Sequence, residues 1–148
     1  MELYKDSSKP VAERVEDLLS RMTLEEKAAQ LCGDLPAGFM KDGKVSLELL
    51  REKYPDGHGR FTQYSMTGIV DPVQIAEISN TLQHYFMEET RLGIPVALQA
   101  ENLCGYPAAD GTLFPAQINV GCTWNLSSRK KWLLSSVRRA VRLVSTAL

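Results

Sequence analysis

A carboxylate at the end of an apolar run is the first group in this sequence equipped for chemistry. Ile94-Pro95-Val96-Ala97-Leu98 reads as a buried strand, and Gln99-Ala100-Glu101-Asn102-Leu103-Cys104-Gly105 carries it into a loop rich in Gly, Pro and Ala. A helical pattern ending at Gly93 comes before it, so the order is helix, strand, loop. α/β barrels build their sites from loops at the C-terminal ends of their strands, which makes Glu101 the leading candidate. Acid–base and nucleophilic work by carboxyl groups needs a second one nearby. By spacing that partner is Asp110, and spacing alone leaves open whether the two converge. Cys104 is a weaker candidate. A nucleophilic thiolate needs a neighbouring His or Lys to lower its pKa, and none lies close in sequence, so the thiol is expected to be packed and inert.

The elements that must position these groups are readable in part. Val11, Val15, Leu18, Leu19 and Met22 recur at helical spacing and predict an amphipathic helix with that stripe turned inward. Thr23 with Glu26 forms a capping box that opens a second helix over about 24–31, closed at Gly33. Residues 34–68 carry many glycines and prolines around one short helical pattern at 46–53, and are expected to be an ordered insertion or long loop. Within it, Asp56-Gly57-His58-Gly59-Arg60 lacks the strand before and helix after that a phosphate loop requires, and reads as a turn. Residues 67–70 read as a short strand. Asp71 then caps a helix with Pro72 at its first position, and Ile75, Ile78, Leu82, Tyr85 and Phe86 form its buried face. His84 lies off that stripe, with no ligand partner at metal spacing. Strands are further expected at 94–98 and 118–121. A helix capped by Asn125 should carry the stripe Leu133, Val137, Val141 and Val144, with 144–148 beginning another strand.

Three blocks resemble a known family. Val15-Glu16-Asp17-Leu18-Leu19-Ser20-Arg21-Met22-Thr23-Leu24-Glu25-Glu26-Lys27, then Arg91-Leu92-Gly93-Ile94-Pro95 through Gly105, then Thr112-Leu113-Phe114-Pro115 with Thr123-Trp124-Asn125, are similar in order and spacing to the N-terminal domain of glycoside hydrolase family 3, the β-glucosidase and β-xylosidase family. The resemblance runs from residue 4 to about 125. It implies a (β/α)8 barrel and metal-free, retaining hydrolysis of terminal β-linked glucosyl or xylosyl residues. It also implies that the acidic residue of the family's sugar-binding loop falls on Glu101, where a carboxylate accepts sugar hydroxyls through charge-assisted bonds. Gln99, Asn102 and Tyr106 could add neutral hydrogen bonds around the same sugar. The family's nucleophilic Asp and its acid/base lie far downstream of these blocks, so no catalytic residue is assigned here. Retention would require two carboxyl groups about 5–5.5 Å apart. Cys104 stands where the family usually has His and cannot carry positive charge. Glu101 is one methylene longer than the commoner Asp, which favours pentosides over hexosides.

Length and composition set the remaining bounds. A complete barrel typically takes about 250 residues. The 148 residues are therefore expected to form a single incomplete unit, residues 1–148, comprising the first βα units of an α/β barrel behind two helices. A net charge of -1 gives no electrostatic case for nucleic acid. No apolar run has the length of a membrane span or a leader, and three cysteines without CxxC spacing suggest neither disulfides nor zinc, so a cytoplasmic protein without cofactor is expected. Asp110 is the last acidic residue. Six Lys and Arg follow Asn125, in a helix whose apolar stripe is needed to cover the sheet rather than a membrane. An open parallel sheet would leave an uncovered edge, through which oligomers or aggregates would form. The alternative to a sugar-binding piece of a hydrolase is a non-catalytic interaction module or a decayed gene product. An aldolase or phosphate-binding isomerase would need a strand-end Lys or a Gly-rich phosphate loop, and the readable strands offer neither.

Overall fold

The computed structural model describes residues 2–101, 103–109 and 111–145. After a 3-10 turn at Leu3–Lys5 come α1 (Val11–Arg21), α2 (Leu24–Gln30), β1 (Gly33–Asp34), β2 (Met40–Lys41), β3 (Lys44–Val45), α3 (Leu47–Lys53), β4 (Arg60–Thr62), α4 (Pro72–His84), β5 (Ala97–Gln99), α5 (Gln117–Gly121) and α6 (Leu126–Ser145). β1, β4 and β5 form a parallel sheet in that order, and β2 and β3 pair as a separate antiparallel hairpin. Parallel neighbours need long crossovers. The hairpin with α3 supplies the first, and α4 the second. The chain is thus α/β, as its pattern predicts.

Phe61 anchors the sheet. It pairs with Asp34 on one side and Leu98 on the other, and its side chain is fully buried among Phe39, Tyr54, His58 and Phe86. Burying a Phe side chain is worth about 1.5–3 kcal/mol, so a three-residue strand holds its place through one side chain. Gly59, just before it, sits where a Cβ would run into the carbonyl oxygens of Gln30 and Cys32. Its N–H donates to the Ala29 carbonyl at 2.9 Å, and its own carbonyl accepts from Ala97 N–H at 3.0 Å. The absent side chain lets the end of α2 and the start of β4 touch.

The predicted α4 is borne out closely. Asp71 Oδ1 accepts the Val73 N–H at 3.1 Å, Pro72 opens the helix, and Ile75, Ile78 and Leu82 are buried, as are Tyr85 and Phe86 in the π-helical turn Tyr85–Glu89 that continues it. The capping box of α2 forms as read: Thr23 Oγ1 accepts from Glu26 N–H at 3.2 Å, and Glu26 Oε2 accepts from Thr23 N–H at 2.8 Å. The same carboxylate takes the Arg91 guanidinium, Nε to Oε1 at 2.8 Å, binding α2 to the segment that leads into β5. Arg91 holds the Glu26 carboxyl below its ordinary range. Tyr4 closes the same corner, its hydroxyl donating to the Leu92 carbonyl at 2.8 Å.

Several expectations are corrected. Residues 67–70 are not a strand. A 3-10 turn spans Tyr64–Thr67, closed by Gly68 at φ 80°, and the strand is Arg60–Thr62, inside the segment read as an insertion. Three residues carry no period, so packing around Phe61 decides the matter rather than pattern. Residues 118–121 are helical, because among the described residues no strand lies alongside to pair with them and Ile118 is exposed. α6 runs through Ser145, so the strand expected at 144–148 does not begin within the described residues, and 146–148 lie outside them. The apolar stripe of α1 is not turned into a core. Val11, Val15 and Leu19 are exposed, and the helix packs mainly on the Leu3–Lys5 turn. The strand expected at 94–98 is shorter and later, Ala97–Gln99, with Val96 buried just before it.

Candidate functional site

Glu101 follows β5 by two residues, beyond the strand's C-terminal end, and lines a cavity of about 250 Å³. Ligand pockets usually run from about 300 Å³ upward, so this one suits a small ligand. Its near wall is the stretch just after β4, Gln63 to Met66, and its far wall is the loop from Leu103 to Pro107 together with Leu113. The C-terminal ends of two adjacent parallel strands therefore supply the cavity between them, the arrangement by which open α/β sheets form ligand sites.

Backbone bonds fix the far wall. Phe114 N–H donates to the Cys104 carbonyl at 2.6 Å, and Ala109 N–H to the Val70 carbonyl at 2.6 Å. Gly105 makes the first of these closures feasible: at φ 107° its missing Cβ would press on the Thr112 carbonyl. Phe114 in turn meets the buried Trp132 of α6 edge-on, ring centres 5.7 Å apart. The near wall is tied to β5 by Gln63 N–H, which donates to the Gln99 carbonyl at 3.3 Å.

Of the residues singled out in the sequence, Glu101 and Tyr106 meet in this cavity, and Cys104 lines it beside them. Glu101 is exposed and takes no hydrogen bond or ion pair among the described residues. Tyr106 is half-buried and packs against the core, and burial raises its phenol above the ordinary value. Burial likewise raises the neighbouring Tyr64 phenol, with Ser79 pulling it back. Both hydroxyls stay protonated near neutral pH. Gln99 is an exposed residue of β5 that does not line the cavity. Asn102 and Asp110 lie outside the described residues. Gln63 and Tyr64 were not foreseen: their segment reads as loop, and parallel pairing with β5 leaves no local signal.

The cysteines are all free, Cys32 and Cys122 exposed. Among the described residues no group of three His, Cys, Asp or Glu is placed to hold a metal ion, and no helix is long and apolar enough to cross a membrane. Among the described residues the walls around Glu101 thus offer one carboxylate, one amide, hydroxyls and apolar surface, a set suited to a neutral polyhydroxyl ligand.

No family model matches the chain. Individual relatives do. β-Glucosidase C of Emericella nidulans is 36% identical over 121 residues, 78% of this chain and 18% of its own length. The periplasmic β-glucosidase/β-xylosidase of Dickeya chrysanthemi is 36% identical over 106 residues, 66% of this chain and 15% of its own length. A Formosa agariphila protein whose name assigns it provisionally to the β-xylosidases is 31% identical over 135 residues, 82% of this chain and 16% of its own. The chain spans less than a fifth of the length of these relatives. With its three motif blocks in order and relatives of these names matching most of its length, the chain fits a piece of glycoside hydrolase family 3.

Proposed function

We propose that these residues form the start of a β-glycosidase barrel and contribute one wall of its sugar pocket, with Glu101 accepting hydrogen bonds from hydroxyls of a terminal β-glucosyl or β-xylosyl unit. The observation that carries this reading is the position of Glu101, past the C-terminal end of a parallel strand and lining a cavity of monosaccharide scale. The sequential order β1, β4, β5, with helices in the crossovers, supports reading the sheet as the opening of a (β/α)8 barrel. The names of the relatives support the substrate class.

A carboxylate accepts two hydroxyl hydrogens, and such charge-assisted bonds are roughly twice as strong as neutral ones. Glu101 therefore binds and orients the sugar. It is not assigned the attack, because attack with retention needs a second carboxyl about 5–5.5 Å away, and among the described residues lining the cavity Glu101 is the only carboxylate. The extra methylene relative to Asp extends the carboxylate toward the space of a hexose hydroxymethyl group and tilts the pocket toward pentosides. Titration of the 148-residue protein with methyl β-D-xylopyranoside and methyl β-D-glucopyranoside, followed by amide shifts in NMR, tests both points. Weak saturable binding is expected, tighter for the xyloside and lost in Glu101→Ala. Equal affinity for wild type and Glu101→Ala removes the proposal, and preference for the glucoside removes its pentoside part. No turnover of p-nitrophenyl glycosides by these 148 residues is expected. Turnover abolished by Glu101→Ala would contradict the assignment of Glu101 to binding alone.

A second reading, association with a further protein chain, is favoured by exposed apolar surface and segregated charge. Val11, Val15 and Leu19 on α1, and Leu133, Leu134 and Val137 on α6, are exposed. Up to Asn125 the chain carries eighteen acidic against eleven Lys and Arg residues, and after it six basic and no acidic ones. Sedimentation showing a concentration-independent monomer at low salt would exclude self-association.

A further inference from the structure

Among the described cavity-lining residues, Gln63 alone is held in a conformation its side chain disfavours. Its backbone is left-handed, at φ 58° and ψ 50°, a region visited routinely by Gly and sometimes by Asn or Asp. Such strain persists only where the surroundings impose it, and it concentrates at ligand sites. The imposing contacts are visible: the residue directly follows β4, donates its N–H to the Gln99 carbonyl, and opens the 3-10 turn Tyr64–Thr67. Its side-chain amide is half-buried, lines the cavity with Glu101, and has no hydrogen-bond partner among the described residues.

The chemistry of the two side chains is complementary. An ionised carboxylate only accepts, whereas each sugar hydroxyl both donates and accepts, so a pocket with Glu101 alone leaves the sugar's oxygen lone pairs unanswered. A primary amide offers two donors and an acceptor in one plane. We propose that Gln63 is a further sugar-binding residue, donating from its amide to oxygens of the same glycosyl unit whose hydroxyls Glu101 accepts. The inference rests on the sugar-pocket reading above and extends it to the end of the neighbouring strand. The left-handed backbone fixes the direction in which the side chain leaves the main chain before the sugar arrives.

The test uses the 148-residue protein, the same two methyl glycosides, and the variants Gln63→Gly and Gln63→Glu. Gln63→Gly deletes the amide and relieves the strained φ, and Gln63→Glu keeps the shape but removes the donors. Both are expected to weaken binding about 3- to 10-fold, the size of one or two neutral hydrogen bonds, while the melting temperature of Gln63→Gly stays level or rises. Unchanged affinity in both variants, with Glu101→Ala still losing binding, would overturn the role of Gln63 and leave the sugar pocket standing. A lowered melting temperature accompanying the weaker binding of Gln63→Gly would also overturn it, since the residue would then act through the fold. No saturable binding by the wild type, or none lost in Glu101→Ala, would instead remove the pocket reading itself.

Discussion

Glu26 and Glu101 are the same side chain in opposite circumstances. Glu26 is 5% exposed, and every direction around its carboxylate is occupied: Thr23 N–H on one side and the Arg91 guanidinium on the other. Glu101 is exposed, takes no partner among the described residues, and lines a cavity. A carboxylate whose partners are all internal fastens elements together. One left unanswered at the end of a strand is available to a ligand. The corner around Glu26 is therefore structural and the rim around Glu101 is the proposed binding surface, so substitutions in the two regions should separate stability from affinity.

The largest effect should join them. Phe61 lies under the sheet and two residues before Gln63. Phe61→Ala should cost about 3–5 kcal/mol of stability, measured by chemical denaturation, and abolish glycoside binding with it. Retained binding would mean that the rim folds independently of the core. Glu26→Ala should cost about 1–3 kcal/mol by leaving the Arg91 interaction and the α2 cap unmade, with no change in glycoside affinity once folded. Glu101→Ala should reverse that pattern, leaving stability within about 0.5 kcal/mol while removing saturable glycoside binding. If both variants move both readouts, the division between the regions fails.

The smallest effect sharpens the structural side through pH. His58 stacks on Phe61 with ring centres 4.7 Å apart and meets Tyr54 edge-on. Burial lowers its pKa from the ordinary 6.5, against the pull of Asp34, which itself accepts the Tyr54 hydroxyl at 2.6 Å. The folded state thus binds the His58 proton less readily than the unfolded state, so stability should fall as pH drops through about 6.5. Glu26 acts lower down. Its folded pKa is depressed from 4.5, so its contribution is present above that value and is lost as pH falls below it. Melting curves between pH 8 and 5 should show the first loss alone, and His58→Phe, which keeps an aromatic stack, should remove it. An unchanged slope in that variant would assign the acid sensitivity elsewhere.

What could be read in the sequence was whatever a few neighbouring residues decide. Thr23 with Glu26, Asp71 with Pro72, and the stripe from Ile75 to Phe86 each act within one or two turns, and all form as read. Glu101 was legible because an apolar run and a familiar motif converge on it. β4 was not, since a strand of three residues is defined by its partners, Gly33–Asp34 and Ala97–Gln99, which lie far away in the chain. Gln63 was hidden for the same reason: nothing in its neighbours announces a left-handed φ, which arises where β4 ends against β5. α1 misled in the other direction. Its periodicity is real, but periodicity reports amphipathicity and not what covers the apolar face.

The bare backbone at Gly59 carries a cost for sequence drift. A methyl group there would have to push the end of α2 away from β4, and a strand advancing about 3.3 Å per residue transmits such a shift along its whole length. Gln63 stands four residues further on, so a change with no ligand contact, at the opposite end of the strand, would move the amide out of reach of anything held by Glu101. On the proposed reading, recognition at the rim thus depends on emptiness at the base.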